Sequence, residues 1–300
     1  MYPLAKERFR TIGFIAFLVI VWGLCWPIYK MTLQYTPPIL FAGMRTLLGG
    51  IGLSILALSR YRQIQFRTHW KVYLVSALFN AVLFYGIQTV GLKYLPSGLF
   101  SVIVYLQPVL VGFLAWYWLR ESLNLFKVTG LILGVIGVGV VSWDGMAGHL
   151  SATGIILALI TAISWAIGTV YMKKEGTNVD TLWLVSLQCV IGGAVMTVAG
   201  LAVEDAGQIV WNLPYVSGLL FGAFLGIAAA WVVYFKLVRT GEASRIASYT
   251  FFVPLLSVWF GAIFLKEPLS FHLALGLLFI ILSILLVNRK EKRKKPLPSA

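Results

Sequence analysis

Apolar stretches close to 20 residues long recur down the whole chain, each ended by a charge cluster or by turn residues. A helix needs about 20 mostly apolar residues to cross a bilayer. The pattern predicts ten such spans, near residues 12–29, 38–58, 70–90, 97–119, 125–143, 153–172, 181–203, 216–237, 246–265 and 271–288. Links between them are short, so no sizeable soluble domain hangs from the bundle. A β-barrel would show weaker, alternating segments of about ten residues instead. Lys6, Arg8 and Arg10 precede the first apolar run in the manner of a signal peptide. That run holds Trp22, Trp26 and Pro27 and lacks a small-x-small cleavage site, so it reads as a retained first helix. The fold class is an all-α polytopic membrane protein with ten transmembrane helices.

Composition agrees with this and removes other classes. Of 300 residues, 60% are hydrophobic and 11% charged, against roughly 25% charged in soluble domains. A soluble enzyme and a disordered chain are both excluded on those figures. The formal charge of +14 would suggest nucleic acid in a soluble protein. Laid on the spans, however, 20 Lys and Arg fall on one side, only Lys30, Lys93 and Lys266 on the other, and Arg45 within a span. The positive-inside rule then places both termini in the cytoplasm, with the basic tail against anionic lipid and no nucleic acid partner.

The chain also repeats itself. Trp22, Lys30, Gly49 and Gly50 match Trp165, Lys173, Gly192 and Gly193, each 143 residues later. Pro108, Glu121 and Gly130 match Pro254, Glu267 and Gly276 at an offset of 146. This divides the chain into a first repeat at 1–146, a second at 147–290 and a basic tail at 291–300. Each repeat holds five helices, and an odd number puts the second copy into the membrane upside down. Inverted repeats build many secondary transporters, with substrate at the midplane between halves that rock.

These residues resemble a known family. Arg45 in Phe41-Ala-Gly-Met-Arg, the run from Ser101 to Glu121 with Gln107-Pro108 and Arg120-Glu121, the Gly-rich segment from Gly130, and a second copy ending in Lys266-Glu267-Pro268 resemble the EamA-type exporters of the drug/metabolite transporter superfamily. The resemblance implies a cavity lined mainly by helices 1, 3, 4, 6, 8 and 9, with helices 5 and 10 peripheral. It specifies the fold and leaves the substrate open, since such proteins move amino acids, metabolites and drugs. Gln188 stands where the second repeat would carry an Arg, so the halves are not equivalent.

No Asp or Glu lies in the middle of a span. Asp144, Glu204 and Asp205 sit at span ends or loops, Glu175 and Asp180 in a loop, and Glu121, Glu242 and Glu267 at helix ends. Proton-coupled carriers commonly use a membrane-embedded acid. The small multidrug relatives in this superfamily use a first-helix Glu, and none stands here, so cation/proton antiport is disfavoured. Arg45, about seven residues inside its span, has two readings: a carboxylate anchor for substrate, or a structural Arg bonded to helix-end carbonyls, Glu267 or Asp144. Asn80, Gln88, Gln107 and Gln188 need partners in lipid. Asn80 is the leading polar candidate for the cavity, and Gln188 reads as packing.

Trp70, Trp118, Trp143 and Trp211 fit an interfacial belt. Trp22 and Trp165 do not, because both fall near midplane. With Trp26, Phe84, Tyr85, Gln88, Tyr105, Trp231 and Tyr234 they suggest an apolar, π-rich pocket. Pro108 and Pro254 are equivalent helix breaks, either hinges or bends. Gly130, Gly134, Gly137 and Gly139 allow close packing within the chain or in a dimer. Cys25 and Cys189 form no disulfide framework, and the three His lack metal spacing. No phosphate-binding loop, catalytic constellation, metal site or cofactor is indicated. The expected function is an alternating-access exporter of small neutral or zwitterionic organic solutes, amino acids or related metabolites, working as a monomer with a dimer left open. The alternatives are a proton-coupled exporter of lipophilic drugs or cations, and a scaffold or receptor that moves no solute.

Overall fold

A computed structural model describes residues 2–144, 151–240, 246, 249–250, 252–267 and 269–287. Expectations about Glu242, Arg245, the tail 291–300 and the side chains of Trp143 and Asp144 lie outside what is described. Seven helices are long and apolar enough to cross a membrane; three further apolar helices are shorter among the described residues. In chain order they are α1 (Tyr2–Thr32), α2 (Pro38–Ala57), α3 (Phe66–Gly91), α4 (Ser97–Leu119), α5 (Leu125–Asp144), α6 (Ala152–Glu175), α7 (Thr181–Val203), α8 (Leu213–Thr240), α9 (Phe252–Leu265) and α10 (Phe271–Val287). Several run past the apolar stretches that announced them. α1 begins ten residues early and includes Arg8 and Arg10, because helical hydrogen bonding does not stop where hydropathy does.

Among the described residues, three of these helices depart from regular winding within their spans. α3 and α8 each contain nine π-helical residues, Leu78–Gly86 and Phe221–Ala229, in corresponding helices of the two halves. α4 breaks at Tyr105–Leu106 and restarts at Gln107 with Pro108 in its first turn, where a missing N–H costs nothing. Pro254 likewise occupies the first turn of α9. α4 and α9 also end alike. Arg120 and Lys266 adopt left-handed φ of 57° and 53°, and the N–H groups of Glu121 and Glu267 return to the carbonyls of Ala115 and Gly261 at 3.2 Å. The repeated Arg/Lys-Glu pair is therefore a helix stop of the Schellman kind.

Helix pairing follows the repeat. α2 lies along α7 and α5 along α10, pairs that map onto themselves when the halves exchange; α1 packs on α9 as α6 does on α4, and α2 on α8 as α7 does on α3. Glycines allow the closest of these. A Cβ on Gly50 would stand 2.6 Å from the amide nitrogen of Val190, and one on Gly193 2.4 Å from that of Leu47, the equivalent residue. Gly130, Gly134 and Gly137 face α10 in the same way, which places them in packing within the chain, whereas a Cβ on Gly139 would meet nothing within 4 Å among the described residues. Acids tie the halves at their ends. Glu204, after α7, accepts from the amides of Ile39 and Leu40 at 2.9 and 2.8 Å. Glu267, after α9, accepts from the Ser97 amide and hydroxyl and the Gly98 amide at 2.7, 2.8 and 3.0 Å. Each satisfies the unpaired amides that open a helix and sits at the positive end of its dipole. Trp70, Trp118 and Trp211 are exposed on the outside of the bundle, as a belt requires.

Candidate functional site

The midplane aromatics form one cluster. On α1, Trp22, Cys25, Trp26 and Tyr29 share a face by the i, i+3, i+4, i+7 rule. Trp22 meets Trp165 of α6 edge to face with centroids 5.4 Å apart, and Tyr234 of α8 at 5.3 Å. Trp165 in turn contacts Phe84 at 5.1 Å and Tyr105 at 5.4 Å, and Tyr105 reaches Trp26 at 6.1 Å. The π-helical stretches shape this centre. Trp22 Nε1 donates to the Gly226 carbonyl of α8 at 3.1 Å, and the α3 stretch carries both Phe84 and Tyr85. The break in α4 falls on Tyr105 itself.

At the heart of the cluster is a cavity of about 20 Å³, lined by Trp22, Trp26, Phe84, Tyr85, Gln88, Tyr105 and Trp165, with Cys25, Tyr29 and Gly226. That volume admits about one water. Sequence reasoning did not place Cys25, Tyr29 or Gly226 at the site; the helical spacing from Trp22 carried the signal for the first two. Among the described residues α9 contributes nothing to the lining of this cavity. Its Phe264 and Leu265 instead line a second, larger space of about 580 Å³ between α1, α8 and α9, which also borders Thr32, Gln34 and Ser217. α1 separates the two spaces, with Tyr29 on one wall and Ile28 and Thr32 on the other.

The remaining candidates lie around the cavity. Trp231 donates through Nε1 to the Tyr85 hydroxyl. Tyr234 bonds Gln107 and Thr169 at 3.4 and 3.3 Å. Asn80 is separate: its amide contacts Ser76 Oγ at 3.3 Å and Gln188 Oε1 at 3.4 Å, and Ser76 donates to Gln188. It fills the notch left by Gly168 on α6, where a Cβ would stand 2.0 Å from Asn80 Oδ1. Gln188 is thus engaged in interhelical bonding.

Arg45 is fully buried. Among the described residues it meets no helix-end carbonyl, and the carboxylate oxygens of Glu267 serve Ser97 and Gly98; the side chain of Asp144, the other expected partner, lies outside them. Instead Nη2 donates to Thr89 Oγ1 at 2.8 Å and Gln88 Oε1 at 3.4 Å, and the guanidinium lies 3.8 Å from the Tyr29 ring centre. Among the described residues no three His, Cys, Asp or Glu gather as a metal site.

Comparison with known proteins agrees with this architecture. The chain is 52% identical over 286 residues, 95% of its own length and 94% of the other, to the uncharacterized transporter YvbV of Bacillus subtilis (strain 168). It is 28% identical over 276 residues, 87% of this chain and 89% of the other, to a probable amino-acid metabolite efflux pump of Salmonella typhimurium (strain LT2). A crystal structure with 17% identity superposes with a TM-score of 0.72 over 92% of this chain and 96% of that one, which shows a shared fold. The model of the EamA-like transporter family matches residues 10–143 and again 152–289. The chain is a multi-pass membrane protein and belongs to the EamA-like transporter family.

Proposed function

We propose that this transporter is a secondary carrier exporting small neutral or zwitterionic organic solutes, amino acids or related metabolites, by alternating access. The observation that carries the reading is the aromatic cluster: rings from both halves converge on one cavity too small for a solute, with a roomier space across α1. A site closed at about one water must widen to take cargo, and the seam between two similar halves is where such widening is cheapest. The efflux-pump name of the Salmonella relative points to the same cargo. On this reading the protein sits in the plasma membrane as a monomer, both termini are cytoplasmic, and the halves at 1–146 and 147–290 are inverted. The test is counterflow in proteoliposomes: preloaded unlabelled amino acid should drive accumulation of labelled amino acid without ATP or a pH gradient. Absence of exchange across a broad amino-acid and metabolite panel, with folded protein in the bilayer, rejects the reading.

A further inference from the structure

We propose that the cargo carries a carboxylate and that Arg45 receives it, an inference that rests on the carrier reading and names its substrate class. Arg45 is 0% exposed, yet no carboxylate of the described residues pairs with it. Its Nε and Nη1 meet no acceptor among them. Tyr29, Tyr85 and Phe41 surround the guanidinium carbon at 3.8, 4.9 and 5.1 Å. Aromatic faces stabilise a cation without neutralising it. A buried charge left without a counter-ion is costly, and intramembrane examples mark substrate or ion paths.

Packing does not require that charge. Gln188 occupies the equivalent position in the second half, is equally buried, and meets its neighbours through a neutral amide. The same helix face is therefore held without a cation in the second half.

Position supplies the rest. Tyr29, Tyr85 and Gln88 all touch Arg45, and all three line the cavity. The guanidinium is one side chain behind the cavity wall. Rotation of Tyr29 or Tyr85 as the site widens brings Nε and Nη1 to the cargo, where a carboxylate makes a charge-assisted pair. The rings of Trp22, Trp26 and Trp165 receive an apolar body. A cationic cargo meets an uncompensated positive charge at the same wall, which sets lipophilic cations apart from the substrate class.

The experiment uses the full-length protein in detergent, with leucine and 4-methylpentanoate as acids and leucinamide and isopentylamine as matched molecules lacking the carboxylate. Binding is read by thermal shift and by fluorescence of the cavity tryptophans. The two acids should bind and the two amines should not, and Arg45→Gln should weaken acid binding at least about tenfold while Arg45→Lys retains part of it. Equal binding of acids and amines, no acid binding at all, or acid binding unchanged in Arg45→Gln overturns the proposal. The analogue series needs no mutant, so it decides the matter even where a variant fails to fold. Counterflow on the same panel separates the two readings: acid-selective binding without flux keeps Arg45 and rejects the carrier, and flux of the amines alone keeps the carrier and rejects Arg45.

Discussion

Trp22 and Trp165, 143 residues apart in the chain, meet edge to face at 5.4 Å in the centre of the bundle. Equivalent residues of two repeats touch only where the axis relating them passes, so this contact marks the junction of the halves. The two indoles differ in one respect. Trp22 Nε1 is bonded to the Gly226 carbonyl, whereas Trp165 Nε1 is buried without a partner among the described residues. Trp22→Phe should therefore lower the melting temperature by an amount equivalent to about 1–2 kcal/mol, because it removes that hydrogen bond and part of a buried ring. Trp165→Phe removes an unpaired donor and should cost less. Equal losses in detergent thermal melts would contradict the assigned asymmetry.

The α2–α7 seam makes a second prediction. Alanine at Gly50 or Gly193 would push a methyl within 2.6 or 2.4 Å of a backbone amide nitrogen, so the helices must separate. The expected cost is about 1–3 kcal/mol for each. Gly139→Ala, with nothing within 4 Å, should be neutral or stabilising by up to about 1 kcal/mol. Thermal melts of the three variants give the comparison, and similar behaviour at Gly50 and Gly139 would reject the seam.

These glycines also show what is legible in the sequence. Gly49, Gly50, Gly192 and Gly193 are visible as repeat markers, and their spacing alone establishes which helices correspond. Trp22, Trp165 and Tyr105 can be drawn together because large apolar rings on midplane faces have few other places to go. Asn80 goes the other way. Its location depends on a notch at Gly168 of another helix, and no pattern along α3 reports it. The partners of Arg45 are equally hidden. An Arg in a span suggests a carboxylate, and a cage of three rings with Thr89 and Gln88 arises only from the packing of α1, α2 and α3.

Glu267 joins the end of α9 to the start of α4 through three hydrogen bonds, one bridge between the halves. Glu267→Ala should cost about 2–3 kcal/mol, since bonds to a charged acceptor are stronger than neutral ones and two helix amides lose their partner. Ser97→Ala removes one of the three and should cost about 1 kcal/mol. Chemical or thermal unfolding distinguishes them, and an equal effect of both would show that the carboxylate is not the tie.

Cys25 offers a view of opening. Its side chain is 4% exposed and lines the central cavity, so reagents reach it only when the helices around it part, and the α1–α8 seam is the expected door. That seam is closed by glycines: a Cβ on Gly218 would lie 2.1 Å from Thr32 Oγ1, and one on Gly226 2.4 Å from the Tyr29 hydroxyl and 2.7 Å from Cys25 Sγ. Alanine at either position holds the helices apart and favours the open arrangement. In a Cys189→Ser background, a small methanethiosulfonate should label Cys25 slowly in the parent and about tenfold faster in Gly226→Ala, a shift of roughly 1.4 kcal/mol in the opening equilibrium. A cargo that closes the site around itself should slow labelling in both. If Gly226→Ala labels no faster than the parent while remaining folded, the α1–α8 seam is not the door, and access must come from the α6–α3 side, where Gly168 receives Asn80 in the corresponding place.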